Sequence, residues 1–331
     1  MAFKDIPGNG RVKKVLQKAL LKNRVPNSLL FCGPEGIGKK DVALVVAKAM
    51  NCRKKKGDAC ESCTSCKAIN KGNFPDVLVL SPVGNFITIG QIKDLKHIAY
   101  FKPMGGKKRI FIIENAERMN EEASNSLLKI LEEPPLFSHI ILITKNPFMI
   151  VSTIKSRCQT LSFMPISRED IENELAVEKG YERKKARIIS LIVQGNREQA
   201  MSLEWEHVQS KRKEAWGFFQ SLLKKGKISS FLKNYAYKQR ELIEKDLEHI
   251  LEIVSSFCRD LILVKEKGDV CFMINPDYEE EIRRVEKFIN FERCMDFLSK
   301  IEHALYGLEK NINTNLLVSS TLLNLMEWEN A

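Results

Sequence analysis

The chain has 331 residues, of which 44% are hydrophobic and 29% charged, and its formal net charge is +11. That length provides for about two or three domains, and the balance is globular, which excludes wholesale disorder. The longest apolar runs, such as Leu29–Cys32 and His139–Thr144, fall far short of the ~18–20 residues of a membrane span, and no apolar signal core follows the first residues. A cytoplasmic protein without a membrane partner is therefore expected.

In chain order, residues 1–27 read as helical, with an apolar face of Val12, Val15, Leu16, Ala19 and Leu20. Ser28–Cys32 is a short apolar run with the pattern of a buried strand. A glycine-rich turn, Gly33–Lys40, follows it, and Asp41–Met50 has helical composition. Strand, glycine turn and helix form the context in which a phosphate-binding loop works.

The turn reads Gly33-Pro34-Glu35-Gly36-Ile37-Gly38-Lys39-Lys40. Against the pattern G-x-x-x-x-G-K-[ST], Gly33, Gly38 and Lys39 fit. The glycines let backbone N–H groups converge on phosphate oxygens, and the lysine reaches the β- and γ-phosphates. Lys40 departs from the pattern, because the residue there normally offers a hydroxyl to Mg²⁺ and an ammonium has no lone pair to give. The motif marks a fold strongly and ATP turnover weakly.

Cys52, Cys60, Cys63 and Cys66 follow with the spacing C-x7-C-x2-C-x2-C. Four thiolates at such spacings suit a closed, structural Zn²⁺ site, and Arg53-Lys54-Lys55-Lys56 would offset their charge. An iron–sulfur cluster or unligated thiols are the alternatives; the ferredoxin run places a fourth Cys and a Pro just downstream, and this chain does not.

Val77–Leu80, Ile110–Ile113 and Ile140–Thr144 are short, β-branched runs that fit further parallel strands, with helical stretches between them. The run Arg109–Ile113 leads into Glu114-Asn115-Ala116-Glu117. An ATPase of this design places one acid here for Mg²⁺ and another group to orient the attacking water. Glu114 can approach a metal, but Asn115 stands where the activating carboxylate would be, and an amide accepts no proton at neutral pH. Asn120–Glu133 reads as a helix capped by Asn120, acidic in its first turn, turning Leu127, Leu128 and Leu131 inward, and stopped by Pro134-Pro135.

Ser156-Arg157-Cys158 comes next, preceded by Lys155. It reads either as a basic surface loop or as an arginine finger acting on the phosphates of a neighbouring subunit. Beyond Pro165 the strand pattern fades. Ser167-Arg168-Glu169-Asp170 resembles a capping box, a small helical segment runs to about Leu203, and 208–331 is nearly all helical in pattern with an interruption near Gly268–Pro276. The expected organisation is an α/β domain over 1–165 with the Cys cluster inserted at 52–66, a small helical lid over 166–207, and an all-α domain over 208–331. Residues 1–165 hold 27 Lys and Arg against 13 Asp and Glu, whereas 166–331 hold 26 against 29. The positive excess lies wholly in the first half, which points to a polyanionic partner or to a solvated basic surface.

The phosphate loop, the Cys cluster, Leu127-Leu128-Lys129-Ile130-Leu131-Glu132-Glu133-Pro134-Pro135 and Ser156-Arg157-Cys158 occur together in this order. In this the chain resembles the delta-prime family of bacterial DNA polymerase III clamp-loader subunits, with the gamma/tau subunits and replication factor C proteins as relatives. The resemblance is specific over about 1–205 and only one of helical type and length beyond. It implies a RecA-like AAA+ domain with a parallel sheet, a helical lid, and a helical collar that holds a hetero-pentameric ring with gamma/tau and delta subunits. It implies loading of a sliding clamp onto primed DNA, as part of the polymerase III holoenzyme. It assigns Arg157 as an arginine finger acting in trans, and Zn²⁺ to Cys52, Cys60, Cys63 and Cys66. It places a nucleotide site at Gly33, Gly36, Gly38, Lys39, Glu114, Thr144 as the first sensor position, and Arg197 as the second.

Lys40 and Asn115 argue against binding of ATP and Mg²⁺ at this chain's own degraded site and imply that its ATP turnover is absent or very weak. Two other functions remain open at the level of sequence: an active clamp-loader ATPase of the gamma type, and a zinc-dependent DNA-binding protein.

Overall fold

A computed structural model describes residues 1–223, 240–287 and 289–309. The first half is built on a five-stranded, all-parallel sheet. Its elements are α1 (Gly10–Leu21), β1 (Ser28–Cys32), α2 (Lys39–Asn51), α3 (Thr64–Asn70), β2 (Val77–Leu80), α4 (Ile89–Ala99), β3 (Arg109–Ile113), α5 (Glu121–Glu132), β4 (Ser138–Thr144), α6 (Ser152–Lys155) and β5 (Gln159–Ser162). The strand order is β2-β3-β4-β1-β5.

The three inner strands, β1, β3 and β4, are buried along their whole length. That is what a parallel sheet covered on both faces requires, and it is why these segments read as unbroken apolar runs. Alternate side chains serve opposite faces. Leu29, Phe31, Ile110, Ile112, Ile141 and Ile143 pack with residues of α1 and α2. Leu30, Cys32, Phe111, Ile113, Ile140 and Leu142 pack with residues of α4, α5 and α6.

The fifth strand was not legible as such. Gln159-Thr160-Leu161-Ser162 is mostly polar and lies at the sheet edge, where three of its four residues are exposed. The N-terminal helix is also shorter than the expected 1–27. A 3-10 turn at Phe3–Asp5 precedes it, Pro7 and Gly8 separate the two, and Pro26 lies in the segment before β1. Its buried stripe is Val12, Leu16 and Leu20, while Val15 faces solvent. In α5, Asn120 caps as expected, accepting from the Ala123 N–H at 2.8 Å. Leu127 and Leu131 are buried and Leu128 is half-buried.

The later elements are α7 (Arg168–Lys179), α8 (Arg183–Ile192), α9 (Arg197–Ser202), α10 (Trp205–Leu223), α11 (Arg240–Lys265), α12 (Glu279–Glu286) and α13 (Phe291–Glu309). The Ser167 hydroxyl accepts from the Asp170 N–H at 3.1 Å and starts α7. The chain divides into two compact units, Met1–Glu174 with Gln194–Met201, and Leu175–Val193 with Ser202–Ala331. The second has its own core, in which Trp216, Phe218, Phe219, Phe257 and Phe297 pack together. Of the all-α region expected over 208–331, positions 224–239, 288 and 310–331 lie outside the described residues. Among the described residues no helix is long and apolar enough to cross a membrane.

Candidate functional site

In an open parallel sheet, ligands bind beyond the carboxyl ends of the strands. Those ends carry the residues singled out from the sequence. β1 runs into Gly33, β3 into Glu114, and β4 ends on Thr144, paired in register with Cys32. The Gly33 N–H donates to the Thr144 carbonyl at 3.3 Å, and the Glu114 N–H donates to the Leu80 carbonyl at 2.8 Å.

The loop needs its glycines. Gly33 has φ +148°, and a Cβ there would sit 2.4 Å from the Phe163 carbonyl oxygen; Gly36 has φ +69°, and a Cβ there would sit 1.7 Å from Asn196 Oδ1. Either substitution forces a clash in a backbone that L-residues already disfavour. Gly38, at φ +85°, is the residue from which α2 starts.

Lys39 is buried, and its Nζ donates to the Gly33 carbonyl at 2.5 Å and to the Pro34 carbonyl. Burial lowers its ammonium to about 8, against the pull of the Glu35 and Glu117 carboxylates. Lys40 turns to β3 instead. Its Nζ lies 2.9 Å from Glu114 Oε1, and the Ser81 hydroxyl donates to Glu114 Oε2 at 2.7 Å. Asn115 follows with φ +49°.

Thr144 spends its side chain on its own turn. Its hydroxyl donates to the Asn146 carbonyl and accepts from the Asn146 N–H, both at 3.1 Å. Lys145 lies 3.6 Å from Glu35. Arg197 is held from two sides: its Nε donates to both Glu174 oxygens at 2.8 and 2.9 Å, one Nη lies 2.5 Å from Glu174 Oε1, and the other lies 3.5 Å from Asp41 Oδ2. The Glu198 N–H donates to the Gly36 carbonyl at 3.0 Å, so the start of α9 touches the loop directly. Gly33, Gly36, Gly38, Lys39, Glu114, Thr144 and Arg197 are thus brought to one region.

Two participants were missed in the sequence. Glu174 lies in α7 with nothing local to mark it as the partner of Arg197. Glu117 was visible in the strand-end run but carried no assigned role. Both of its carboxylate oxygens are buried without a hydrogen-bond partner, and its charge acts on Lys39 and Cys32. A buried carboxylate left unpaired is costly.

Arg157 belongs to a different place, the turn between α6 and β5. It is 34% exposed and lies 2.6 Å from Glu132 Oε1 at the end of α5. Its other Nη donates to the Thr153 carbonyl at 2.9 Å and to the Ser156 hydroxyl at 3.3 Å. The guanidinium is therefore oriented at the surface of the sheet domain.

The four cysteines form a third site. The Sγ atoms of Cys52, Cys60, Cys63 and Cys66 all lie within 4.8 Å of one another. The 3.9 Å between Cys60 and Cys66 is far beyond a disulfide bond. Backbone N–H groups donate to sulfur from Lys55 to Cys52 at 3.3 Å, from Cys63 to Cys60 at 3.3 Å, and from Cys66 to Cys63 at 3.4 Å. Burial raises the Cys60 thiol, but hydrogen bonds from Ser62 and Cys63 outweigh it and bring the group down to about 6. Four converging sulfurs with donated N–H bonds are a donor set that can hold a metal ion.

Comparison with known proteins places these sites in context. The family described as DNA polymerase III, delta subunit matches residues 8–167, and its C-terminal counterpart matches 213–327. DNA polymerase III subunit delta' of Bacillus subtilis is 30% identical over 321 residues, 96% of each chain. DNA polymerase III subunit tau of the same organism is 34% identical over 61% of this chain and 37% of its own length. A gamma subunit-related protein of Thermotoga maritima shares the fold with a TM-score of 0.51 at 19% identity, covering 95% of this chain and 98% of that one.

Proposed function

Since the chain belongs to the family of DNA polymerase III delta-prime subunits, we propose that it serves in the clamp loader as a subunit that hydrolyses no ATP itself and lends Arg157 to a neighbour's ATP site. The ring it joins contains gamma/tau and delta subunits and places a sliding clamp on primed DNA. Residues 1–165 are its AAA+ domain, 166–207 its lid and 208–331 its collar.

The observation that carries the reading is the contact of Lys40 with Glu114. In a hydrolysing site of this design, the loop hydroxyl and the strand acid hold Mg²⁺, and a further group orients the water. Here an ammonium and a carboxylate face each other, and the next residue is Asn115. The working cation of the chain is then Arg157, which stands at the surface. A guanidinium supplied in trans stabilises the charge of phosphoryl transfer and is worth about 10³–10⁵ in rate in systems of this kind.

The cysteine site fits structural Zn²⁺ with Cys52, Cys60, Cys63 and Cys66 as ligands, since tetrahedral thiolate sets of this spacing favour it. When bound, the ion ties the segment after α2 to the start of α3. The reading is tested by ATP turnover of the purified chain and of the assembled loader. It expects none from the chain alone and a strong loss in the loader carrying Arg157→Ala. Robust turnover by the isolated chain, abolished by Lys39→Ala, would contradict it.

A further inference from the structure

The family and fold bring Mg²⁺ into question at the phosphate loop, and the residues present do not fit it. Magnesium takes oxygen ligands in a near-octahedral set. The last loop position offers Lys40 instead of a hydroxyl, and an ammonium donates hydrogen bonds without accepting any. Its Nζ lies 2.9 Å from Glu114 Oε1, and Ser81 Oγ engages the other oxygen at 2.7 Å. The carboxylate that would face the metal is thus engaged on both oxygens.

From this arrangement we infer that the Lys40 ammonium occupies the metal position of the loop, as a tethered monovalent cation bridging α2 and the end of β3, and that this one residue makes the site indifferent to Mg²⁺. The pair need not be strong to act this way. Lys40 is half exposed, and such pairs are worth little by themselves. What excludes a divalent ion is a like charge fixed beside the carboxylate, together with the missing oxygen ligand.

The neighbouring charges point the same way. Arg197 is paired with Glu174 and Asp41, Lys145 with Glu35, and Lys39 lies against two loop carbonyls under the field of Glu117. The cationic groups around the loop are met by the protein's own oxygens, so its geometry does not depend on a metal–phosphate ligand. The inference rests on the non-hydrolysing reading and extends it from turnover to binding.

The test uses the full chain and a fluorescent nucleoside diphosphate, titrated with Mg²⁺ and with a chelator. Wild type and Lys40→Met are expected to show no strengthening by Mg²⁺, whether their affinity is measurable or nil. Lys40→Thr and Lys40→Ser, which restore the hydroxyl and free Glu114, are expected to gain affinity on adding Mg²⁺ by about tenfold or more. Melting curves taken alongside establish that each variant is folded. Strengthening by Mg²⁺ in the wild type overturns the inference, and so does a folded Lys40→Thr and Lys40→Ser pair that ignores Mg²⁺. Those results leave the turnover reading standing; ATP hydrolysis by the wild-type chain would remove that reading separately.

Discussion

Arg157 and Glu132 are joined by a 2.6 Å ion pair that links two stretches the sequence presents as separate motifs, the Leu-Glu-Glu-Pro-Pro end of α5 and the Ser-Arg-Cys turn before β5. The pair, with the Thr153 carbonyl on the other side, orients the guanidinium at the surface. Orientation of such a group matters because misplacement by an ångström costs rate steeply. Both side chains are partly exposed, so the pair holds Arg157 weakly and can release it.

Glu132→Ala in this chain should therefore lower the ATP turnover of the assembled loader modestly, by about three- to tenfold, mainly in kcat. Steady-state kinetics of loaders rebuilt with wild type, Glu132→Asp and Glu132→Ala check this. Partial recovery with Glu132→Asp is the expected signature of orientation.

The cysteine set makes a prediction about stability. Cys66 is fully buried, and its N–H donates to Cys63 sulfur. Cys66→Ser should lose the bound metal and lower the melting temperature by several degrees, because the binding energy of a structural ion is folding energy. Metal analysis should find one Zn²⁺ per wild-type chain and none in the variant. A chelator should bring the wild type down to the variant's melting point.

His139, at the start of β4, gives a pH dependence. Burial lowers its pKa from 6.5 to about 4, although its ring meets the Pro26 carbonyl, and its Nε2 has no partner. The folded chain therefore keeps the ring neutral while the unfolded chain protonates it. The stability from the neutral ring is fully present above the unfolded pKa and is lost as pH falls through 6.5 toward about 4. The full loss is on the order of 3 kcal/mol. Denaturant unfolding of wild type and His139→Gln at several pH values isolates this share, since the wild type should lose stability relative to the variant as the pH falls through that window.

Much of this fold could be read from residues alone, for reasons the structure makes plain. The inner strands are sealed on both faces, so β1, β3 and β4 had to be apolar throughout. The edge strand β5 is held by pairing with β1 while its side chains meet solvent, so Gln159–Ser162 carried no apolar signal. The site was legible where a position is fixed by backbone geometry, as at Gly33 and Gly36, or by spacing, as at the four cysteines. It was not legible where function rests on a partner brought in from far along the chain. Lys40 could be seen to lack a hydroxyl, but not to lie on Glu114. Arg197 could be matched to a sensor position, but not to Glu174 and Asp41. Glu117 could be seen in the strand-end run, but not that its carboxylate oxygens are buried there without a hydrogen-bond partner.

The most direct test of the account is the ATPase rate of the fully assembled loader in which only this chain is varied. Arg157→Ala should reduce the rate by at least about tenfold, a floor well below the ~10³–10⁵ that an arginine finger can supply, while Lys39→Ala should leave it unchanged, as a loop that turns over no ATP predicts. An unaffected rate with Arg157→Ala, or a large loss with Lys39→Ala in a loader that assembles normally, would contradict the account.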